Sequence, residues 1–575
     1  MRALNTLLGG CCERKGISMG ARARYFVRFS IQLGRAFALA TRSRPGSGLR
    51  SASPRCASAD FVGLLAFAAL AIAAPAAALT IRTVAVTGDV APDTSGATYD
   101  AFGPVVLNLA GEVAFTATLA QGGAVDATND LGMWSEGTGA LALIERRGSP
   151  AVGTASTWDA AIAPPAWNDA GQVAFLAFTN GGPIGIWSEG TGALAPVAVT
   201  GTQAGGAPAG QNYASSLSEP SFNDAGQVAF HGTLSGTGVT LSNDRAVWVG
   251  GPAGPLALAA REGGTAPGAG GATFSDFEGT LINSGGDVAF RATLSDGGSG
   301  IWAGPAGAVQ LAARNGSAAA GTTGQFANFI AGDFNDQGKV AFEAGLEVGV
   351  GGVTASDDRG VWAGAPGDLA LIAREGEIAP DTGGRVFESF SGPLINDGAC
   401  PPFGCDVLLR GFLDTGSGLF LHDGASLGKV VASGDTAPGT SLGLGDATFA
   451  GFTDYALNDY DEVAFTATLS GLLQGVTSSN DGSLWIKDRN DVLTLIVREG
   501  MLWELGLGDI AVVESIDFFG DSDVRGRGLN DQGWVSFGLT FTDGRSGVFV
   551  ATPEPGTAVL LAVGLAGLAL RRRRD

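Results

Sequence analysis

The chain has 575 residues, of which 45% are hydrophobic and only 16% charged, and it includes 93 glycines, so the composition excludes a disordered chain. The net charge is −22 overall, but residues 79–570 hold 19 basic and 53 acidic residues and carry −34. Such a surface excludes nucleic acid and anionic lipid as partners, whereas polycations, divalent cations and neutral glycans remain compatible with it.

The first 78 residues combine a long basic segment with a short apolar run. Residues 61–74 are apolar but too few to span a membrane comfortably, and Pro75 and three alanines follow them. This order predicts a secretory signal peptide that the secretion machinery cuts near Ala78; a transit peptide is the alternative. The basic part is long for a signal peptide, so a start codon downstream of Met1, for example at Met19, is also compatible.

A motif with the skeleton Asn-x-x-Gly-x-Val-Ala-Phe recurs along the rest of the chain. Its eight copies begin at Asn108, Asn168, Asn223, Asn283, Asn335, Asn396, Asn458 and Asn530. Asn at the start and Gly three places later suit a tight turn, and the residues after it alternate as in a strand. We interpret the Asn and Asp residues as hairpin formers; a ligand site shared by them is the alternative.

Two further strands follow the motif in each unit. One contains a tryptophan, as in Trp248 or Trp302, and the other ends in a sequence such as Arg374-Glu375-Gly376. With the short segment before each Asn, this predicts four antiparallel strands per unit. A connection of about 20 residues then leads to the next unit, as a propeller needs to pass from the outer strand of one blade to the inner strand of the next.

The two ends of the repeat region complement each other. The last unit lacks its Arg-Glu-Gly strand, whereas residues 84–94 resemble residues 372–382, which contain that strand. We therefore predict an all-β, eight-bladed β-propeller of four-stranded antiparallel blades, closed by the N-terminal strand; an open all-β repeat array is the alternative. Alternating long and short loops between the motif and the tryptophan also require an even number of blades.

The four long loops carry acidic or amide pairs that the fold would place on one rim. These pairs are Asn129-Asp130, Asn243-Asp244, Asp357-Asp358 and Asn480-Asp481. Their oxygens make a Ca²⁺ site conceivable at Asp130, Asp244, Asp357, Asp358 and Asp481, although no copy has the spacing of a dedicated calcium loop and Asn-Asp is ordinary turn chemistry. No other cofactor is expected. The arginines at one recurring position, such as Arg261 and Arg374, are expected to form ion pairs between neighbouring blades.

Cys400 and Cys405 are the only cysteines after residue 78. They flank four residues inside an expanded sixth turn, so in an oxidising compartment we expect a local disulfide. The four-residue spacing does not fit a Cys-x-x-Cys redox or zinc site.

Evidence for an enzyme is weak in this sequence. The only histidines are His231 and His422, in different units, and no Gly-x-Ser-x-Gly, histidine-rich metal motif or phosphate loop is present. A pair of carboxylates that cleaves glycosides is not excluded by the sequence, because acidic residues are abundant and such a pair is defined by its geometry. We expect a non-catalytic protein.

The C-terminal tail has three parts in a fixed order. Pro553, Glu554 and Pro555 come first, then an apolar run over 559–570, and finally Arg571, Arg572, Arg573 and Arg574. This tail resembles the PEP-CTERM sorting signal of Gram-negative bacteria. The resemblance implies an exosortase as partner and an exported, surface or matrix location with a transient membrane anchor, the tail being the only contact with the membrane. The body resembles the NxxGxxAF tandem-repeat proteins, although Asp461 replaces the Gly in the seventh copy and Leu409 replaces the Phe in the sixth.

The sequence thus predicts three segments: residues 1–78 as extension and signal peptide, 79–551 as the propeller, and 552–575 as the sorting tail. Together they predict an exported surface protein that binds or organises extracellular polysaccharide. A purely structural surface protein is the first alternative; a calcium-dependent adhesin and a polysaccharide-acting enzyme are further ones.

Overall fold

A computed structural model of the chain describes residues 79–137, 139–161, 165–251, 254–398, 406–441, 445–506, 508–520 and 528–553. All of them belong to one compact unit, Pro75–Asp575. The described residues form 35 β-strands and one short 3₁₀ helix, Leu472–Gln474. None of their helices has the length and apolar content needed to cross a membrane.

The strands form eight separate antiparallel sheets, which we number as blades in chain order. Blade 1 contains β2 (Tyr99–Leu107), β3 (Val113–Leu119), β4 (Leu131–Ser135) and β5 (Ala142–Arg146), and blade 2 contains β6 (Trp158–Ala161), β7 (Ala166–Trp167), β8 (Val173–Thr179), β9 (Ile184–Ser188) and β10 (Ala195–Val199). Blade 3 contains β11 (Gln211–Leu217), β12 (Ser221–Phe222), β13 (Val228–Gly236), β14 (Arg245–Gly250) and β15 (Ala257–Arg261). Blade 4 contains β16 (Phe274–Ile282), β17 (Val288–Leu294), β18 (Ser299–Gly304) and β19 (Gln310–Arg314).

Blades 5 to 7 repeat the four-stranded order, and blade 8 joins the two ends of the described chain. Blade 5 contains β20 (Phe326–Phe334), β21 (Val340–Leu346), β22 (Arg359–Ala365) and β23 (Asp368–Arg374), and blade 6 contains β24 (Phe387–Ile395), β25 (Val407–Leu413), β26 (Ser417–His422) and β27 (Leu427–Ala432). Blade 7 contains β28 (Thr448–Leu457), β29 (Val463–Ser470), β30 (Gly482–Lys487) and β31 (Leu493–Arg498). Blade 8 contains β32 (Leu502–Gly506), β33 (Asp509–Asp517), β34 (Val535–Phe541), β35 (Ser546–Pro553) and β1 (Leu79–Val86).

Closure of the ring by the N-terminal strand is confirmed. β1 pairs with β35 from Leu79 opposite Pro553 to Val86 opposite Gly547, with one bulge. β35 pairs in turn with β34, and β34 with β33, so β1 takes the outer position that the fourth strand has in the other blades. The chain is therefore an eight-bladed β-propeller, as the sequence predicts.

The second strand of each blade is buried on both faces. In β17, Val288, Ala289 and Phe290 are all at most 4% exposed, because each blade is covered by a neighbour on either side. Apolar side chains from consecutive blades form one cluster, as for Phe290 and Trp302 of blade 4 with Val247 of blade 3. This burial explains why the Val-Ala-Phe sequence is apolar without interruption.

In five blades the tryptophan of the third strand ties the blade to the loop through which the chain enters it. Trp302 stacks on Phe290 at 6.4 Å and meets Phe274 edge to face at 5.0 Å. Its indole Nε1 donates to the Pro267 carbonyl at 2.9 Å, in the loop before β16. The corresponding bonds in blades 1, 2, 3 and 5 join Trp134 to Pro92, Trp187 to Val152, Trp248 to Gly205 and Trp362 to Ala320.

Three details depart from the predicted four-stranded pattern. The inner strand of blade 3 is divided into β11 and β12, and that of blade 2 is described as β6 and β7 on either side of residues 162–164. Blade 8 gains β32, which forms a hairpin with β33 where other blades have an irregular entry loop. β35 also runs two residues beyond the predicted boundary at residue 551.

The propeller has two unlike faces. We call one of them the Asn face; it carries the Asn turns and the turns between the third and fourth strands. The opposite face, which we call the loop face, carries the long loops and the entry loops. In blade 1 these two loops contact each other there, since the Ala120 N–H donates to the Thr98 carbonyl at 2.9 Å. β34 leaves the Asn face and β35 returns to it, while β1 starts there. Leu79 and Pro553 therefore both lie on the Asn face.

Candidate functional site

The eight Asn turns meet around the centre of the Asn face and line a cavity of about 180 Å³. In each turn the Asn Oδ1 accepts the backbone N–H of a later turn residue, as from Asp287 to Asn283 at 2.9 Å. In seven turns the Nδ2 of this Asn donates to the main-chain carbonyl of the equivalent Asn in the next blade, at 2.8 to 3.3 Å. The eight asparagines are 1 to 7% exposed.

These seven bonds link the turns in order from blade 2 round to blade 1, where Asn530 of blade 8 donates to Asn108. Between blades 1 and 2 the link is the Leu109 N–H, which donates to the Asp169 carboxylate at 2.7 Å. The predicted turn geometry is confirmed, and the structure adds a second role for the same side chain, which joins each blade to the next. An amide suits this role, because it accepts through its oxygen and donates through its nitrogen.

A second circle of six carboxylates surrounds the same cavity. Each accepts a main-chain N–H from the preceding blade at 2.5 to 2.9 Å. The six residues are Asp169, Asp224, Asp336, Asp397, Asp459 and Asp531. Burial raises the pKa of Asp169, and the nearby carboxylates of Asp224, Asp531 and Asp459 raise it further. The hydrogen bond that Asp169 accepts from the Leu109 N–H lowers this pKa but does not cancel the rise.

Beneath the carboxylates the cavity wall is apolar, with Leu107, Phe222, Ile282 and Phe334 among its residues. Chemically, the mouth attracts cations and repels anions. Because each of the six carboxylates already bonds the neighbouring blade, their first role is to fix the turns. In the described residues, no group of three or more His, Cys, Asp or Glu side chains is placed to hold a metal ion.

The aspartates predicted as calcium ligands lie in four different blades on the loop face. Asp130 forms an ion pair with Arg147 at 2.8 Å, and Asp357 one with Arg374 at 2.8 Å. Asp244, Asp358 and Asp481 each lie beside a glutamate of their own blade, namely Glu262, Glu375 and Glu499. The structure therefore distributes the five residues over four blades, with only Asp357 and Asp358 adjacent, and gives each a neighbour within its blade.

These carboxylate neighbours change the acidity of the glutamates. The pKa of Glu262 is raised first by burial and then by the Asp244 carboxyl; the same two causes raise the pKa of Glu375 beside Asp358. Glu262 and Glu375 accept the N–H groups of Asp244 and Asp358 at 3.0 and 3.1 Å. In blade 1 the place of the glutamate belongs to Arg147, which pairs with Asp130 instead.

The recurring arginines bond within their own blade, so the expectation of ion pairs between neighbouring blades is wrong. Arg146, Arg261, Arg374 and Arg498 each donate from Nε to a main-chain carbonyl of the long loop, at 2.6 to 2.9 Å. Each arginine ends the fourth strand of its blade beside the long loop of the same blade, and its planar guanidinium bridges the two.

Other predicted residues fall partly or wholly outside the described chain. Cys400 and Cys405 lie outside it, so their disulfide stays a prediction. Of the sorting motif, Pro553 is the last residue of β35, whereas Glu554, Pro555 and the four terminal arginines lie beyond the described residues. His231 contacts the Thr280 hydroxyl at 3.1 Å, and the His422 Nδ1 accepts the Gly424 N–H at 3.1 Å.

Sequence reasoning missed two carboxyl groups whose pKa values are raised, those of Glu145 and Asp406. Glu145 of β5 is 4% exposed, and neither carboxylate oxygen has a partner among the described residues. Asp406 lies beside Asp461, and burial, followed by the Asp461 carboxyl, raises the pKa of Asp406 to about 7. An alignment of the repeats with one another would have shown Glu145, because it stands where blade 5 has Ala373. Asp461 is visible in the sequence as a replacement of the turn Gly, but its contact with Asp406 in the preceding blade is not.

Comparisons with known proteins identify both the body and the tail. The body matches the "Family of unknown function (DUF7453)" over residues 75–184, 183–399 and 297–559. The tail matches the PEP-CTERM protein-sorting motif over residues 551–574, which implies processing by an exosortase and sorting of an exported protein to the cell surface. No curated protein matches the chain. The resemblance to NxxGxxAF proteins stays a prediction.

Several solved propeller-containing structures are similar at low identity. A prolyl endopeptidase is 12% identical with a TM-score of 0.37, over 77% of this chain and 55% of that chain. A puromycin-hydrolyzing peptidase of Mycobacterium tuberculosis is 11% identical with a TM-score of 0.36, over 80% and 61%. The Dos1 propeller is 9% identical with a TM-score of 0.36, over 82% and 95%.

This chain thus spans about half the length of the prolyl endopeptidase, and at such identities nothing about activity passes from these proteins to it. The family match, in contrast, spans the propeller from its entry to its last strand. The chain belongs to the DUF7453 family of unknown function.

Proposed function

We propose that this exosortase-sorted propeller is a non-catalytic surface protein that binds or organises extracellular polysaccharide through its loop face. The observation that carries the proposal is the position of both chain ends. Leu79 and Pro553 pair on the Asn face, and the apolar run of the sorting tail follows Pro553 closely in sequence. While the tail holds the protein at the membrane, the Asn face is turned toward the cell and the loop face away from it.

The loop face offers the chemistry that a sugar polymer needs. Its long loops carry Thr and Ser hydroxyls and Asn and Asp side chains for the sugar hydroxyl groups, beside exposed aliphatic side chains for the C–H faces of the rings. Leu241 of blade 3 is 91% exposed, and Leu472 and Leu473 of blade 7 are 88% and 77% exposed. The net charge of −34 over residues 79–570 favours a neutral or amine-bearing polymer over an acidic one.

The proposal of a non-catalytic role is supported by the two histidines. They lie in blades 3 and 6, and each contacts a neighbouring group of its own or the adjacent blade. The hydroxyl beside His231 belongs to Thr280, which is only 6% exposed and so is poorly placed to attack a polymer, and the His422 Nδ1 accepts a main-chain N–H.

A binding experiment tests the proposal. The exported protein is mixed with washed exopolymer from the producing bacterium, and the fraction retained in the pellet is measured. A loop-face variant, Leu241→Ser with Leu472→Ser and Leu473→Ser, should lose most of its retention, about tenfold. The matched control, Leu109→Ser with Val492→Ser, changes two exposed aliphatic residues of the Asn face, which are 38% and 42% exposed, and should bind like the unchanged protein.

The outcomes distinguish the alternatives. Absence of retention by the unchanged protein contradicts the proposal and favours a purely structural surface protein. Equal retention of all three proteins contradicts the assignment to the loop face. Release of soluble sugar fragments during the incubation contradicts the non-catalytic role.

A further inference from the structure

The sorting motif begins inside the strand pair that closes the propeller. The PEP-CTERM match starts at Ala551, whereas β35 extends to Pro553, so three residues belong both to the sorting region and to the sheet. These three residues pair with the start of β1, with Leu79 opposite Pro553, Thr80 opposite Thr552 and Ile81 opposite Ala551. The folded propeller and its sorting signal therefore share backbone hydrogen-bonding positions.

β1 is the only described strand that pairs with the last two of these residues. On the other side of β35, the pairing with β34 ends where Val535 lies opposite Ala551. Thr552 and Pro553 thus pair with β1 alone, and the Thr552 hydroxyl donates to the Thr80 carbonyl at 3.3 Å. The first two residues of β1 therefore hold the beginning of the motif against the propeller.

The burial along β35 marks where the strand end can come away. Ala551 is 1% exposed and belongs to the apolar cluster shared by blades 7 and 8, whereas Thr552 and Pro553 are only half-buried. Pro553 has no N–H and can offer the ladder its carbonyl only. Strand ends with few buried contacts open at a small fraction of the global unfolding free energy, so Thr552 and Pro553 can leave β1 while Ala551 stays in the core.

We infer that the end of the β1–β35 pair is a latch on sorting: the exosortase takes up the Pro-Glu-Pro segment after Thr552 and Pro553 have separated from Leu79 and Thr80. A membrane enzyme that binds the segment as an extended peptide needs the backbone groups that β1 occupies. The strand that closes the ring thus positions the sorting motif and limits the rate at which it is delivered. The rest of the propeller stays folded during this step.

A reversible cross-link at the latch tests the inference. In the full-length protein, Thr80→Cys with Thr552→Cys allows the two strands to be joined after folding, either as a disulfide or by a short bifunctional thiol reagent. The matched control, Thr87→Cys with Ser546→Cys, joins the same two segments at the loop-face end, where the two hydroxyl oxygens lie 3.2 Å apart. Each protein is incubated with membranes of the producing bacterium that contain its exosortase, and removal of the tail is followed by mass spectrometry.

We expect the cross-link between residues 80 and 552 to slow processing at least tenfold, and a reductant to restore the rate of the disulfide form. The cross-link between residues 87 and 546 should change the rate less than twofold. In the opposite direction, Thr80→Gly, at an exposed position, weakens the latch and should speed processing, with a melting temperature close to that of the unchanged protein.

Two results would overturn the inference. If the cross-link between residues 80 and 552 leaves the rate unchanged, the exosortase takes the motif while it is still paired. If both cross-links block processing equally, the whole strand pair has to open and the end has no special role. Circular dichroism of each cross-linked protein establishes that the propeller is folded, so neither result can arise from a misfolded variant.

Discussion

The asparagine that opens each repeat joins two kinds of contact in one side chain. Its Oδ1 closes the turn within the blade, and its Nδ2 reaches the main-chain carbonyl of the next blade; in blade 5, Asn335 accepts the Lys339 N–H at 2.9 Å and donates to the Asn396 carbonyl at 3.0 Å. Hydrogen bonds of buried groups cost more when one partner is removed than they contribute when intact. The motif is therefore a connector between blades as much as a turn.

Asn335→Asp tests this connecting role with almost no change in shape. The carboxylate can still accept the Lys339 N–H. Toward the Asn396 carbonyl, however, it presents an oxygen where the amide N–H donated, and the side chain is only 1% exposed, so water cannot replace the lost donor. We expect a loss of about 3 kcal/mol in the free energy of unfolding, measured by urea denaturation at pH 7. The control Asn490→Asp, in an exposed turn of blade 7, should cost less than about 0.5 kcal/mol; equal costs would contradict the connector role.

Glu145 gives the stability of the propeller a dependence on pH. Burial raises the pKa of Glu145 to about 8, and Arg147 opposes this shift only in part. Because this pKa in the folded protein exceeds the ordinary value of 4.5, the side chain is neutral at pH 7. Stability is then complete below pH 4.5 as far as this group is concerned, and it falls as the pH rises through 8.

Glu145→Gln keeps the size of the side chain and removes its titration. We expect the variant to match the unchanged protein near pH 5 and to exceed it at pH 9 by about 4 kcal/mol, since each pKa unit corresponds to about 1.4 kcal/mol. Thermal melts at both pH values measure the difference. Glu388→Gln, at an exposed position, serves as the control, and a Glu145→Gln melt that falls between pH 5 and 9 as steeply as that of the unchanged protein would exclude Glu145 as the cause.

At the scale of the strand, the tryptophan position shows what the repeats demand and what they tolerate. Trp302 fills the interior of its blade and bonds the entry loop through Nε1. In blades 6 and 8 the same position holds Phe420 and Phe549, both 0% exposed. A large aromatic ring is therefore the common requirement. The indole bond to the entry loop is an addition found in blades 1 to 5, since Trp485 of blade 7 donates to the Ser483 hydroxyl of its own strand instead.

Trp302→Phe should accordingly cost much less than Trp302→Ala. Loss of the bond to the Pro267 carbonyl and of part of the ring predicts about 1 to 2 kcal/mol for the phenylalanine variant. The cavity left by alanine predicts roughly 3 to 5 kcal/mol. Both values follow from urea denaturation; similar costs for the two variants would show that the hydrogen bond, and not the ring, holds the entry loop.

Strands and turns were predictable because their signals are local. The Asn-x-x-Gly turns and the Val-Ala-Phe strands are encoded in neighbouring residues, and they fold as expected wherever the structure describes them, which leaves out residues 399–405 of the sixth turn. The contacts that build the candidate site are not local: Asn283 meets Asn335, and Ile395 donates its N–H to Asp333. Such pairs are 52 and 62 residues apart, and no pattern within one repeat indicates that the amide points to the next blade and not to its own.

For the whole molecule, the feature that the sequence did predict is closure, since the missing strand of the last unit could be found at the other end. The overlap of the sorting motif with β35 was not predicted, because Pro-Glu-Pro is typical of a segment outside a sheet, and the boundary was placed at residue 551. Pro553 can end a strand only because it pairs with the terminal residue of its partner, where a missing N–H interrupts no further bond.

Closure itself can be tested by removal and return of β1. Deletion of Leu79–Val86 from the exported protein leaves β35 as an unpaired edge and exposes Val548 and Val550, which are 0% exposed in the closed ring. An open edge with apolar side chains pairs with other molecules. We expect a lower melting temperature and concentration-dependent dimers or larger species in light scattering.

Attachment of the same eight residues behind Thr552, through a turn copied from 136–141, gives blade 8 the chain order of the other blades and should restore the monomer. If the deletion variant stays monomeric with an unchanged melting temperature, the ring does not depend on its closing strand; if only the reattached strand fails, the pairing requires the N-terminal chain order.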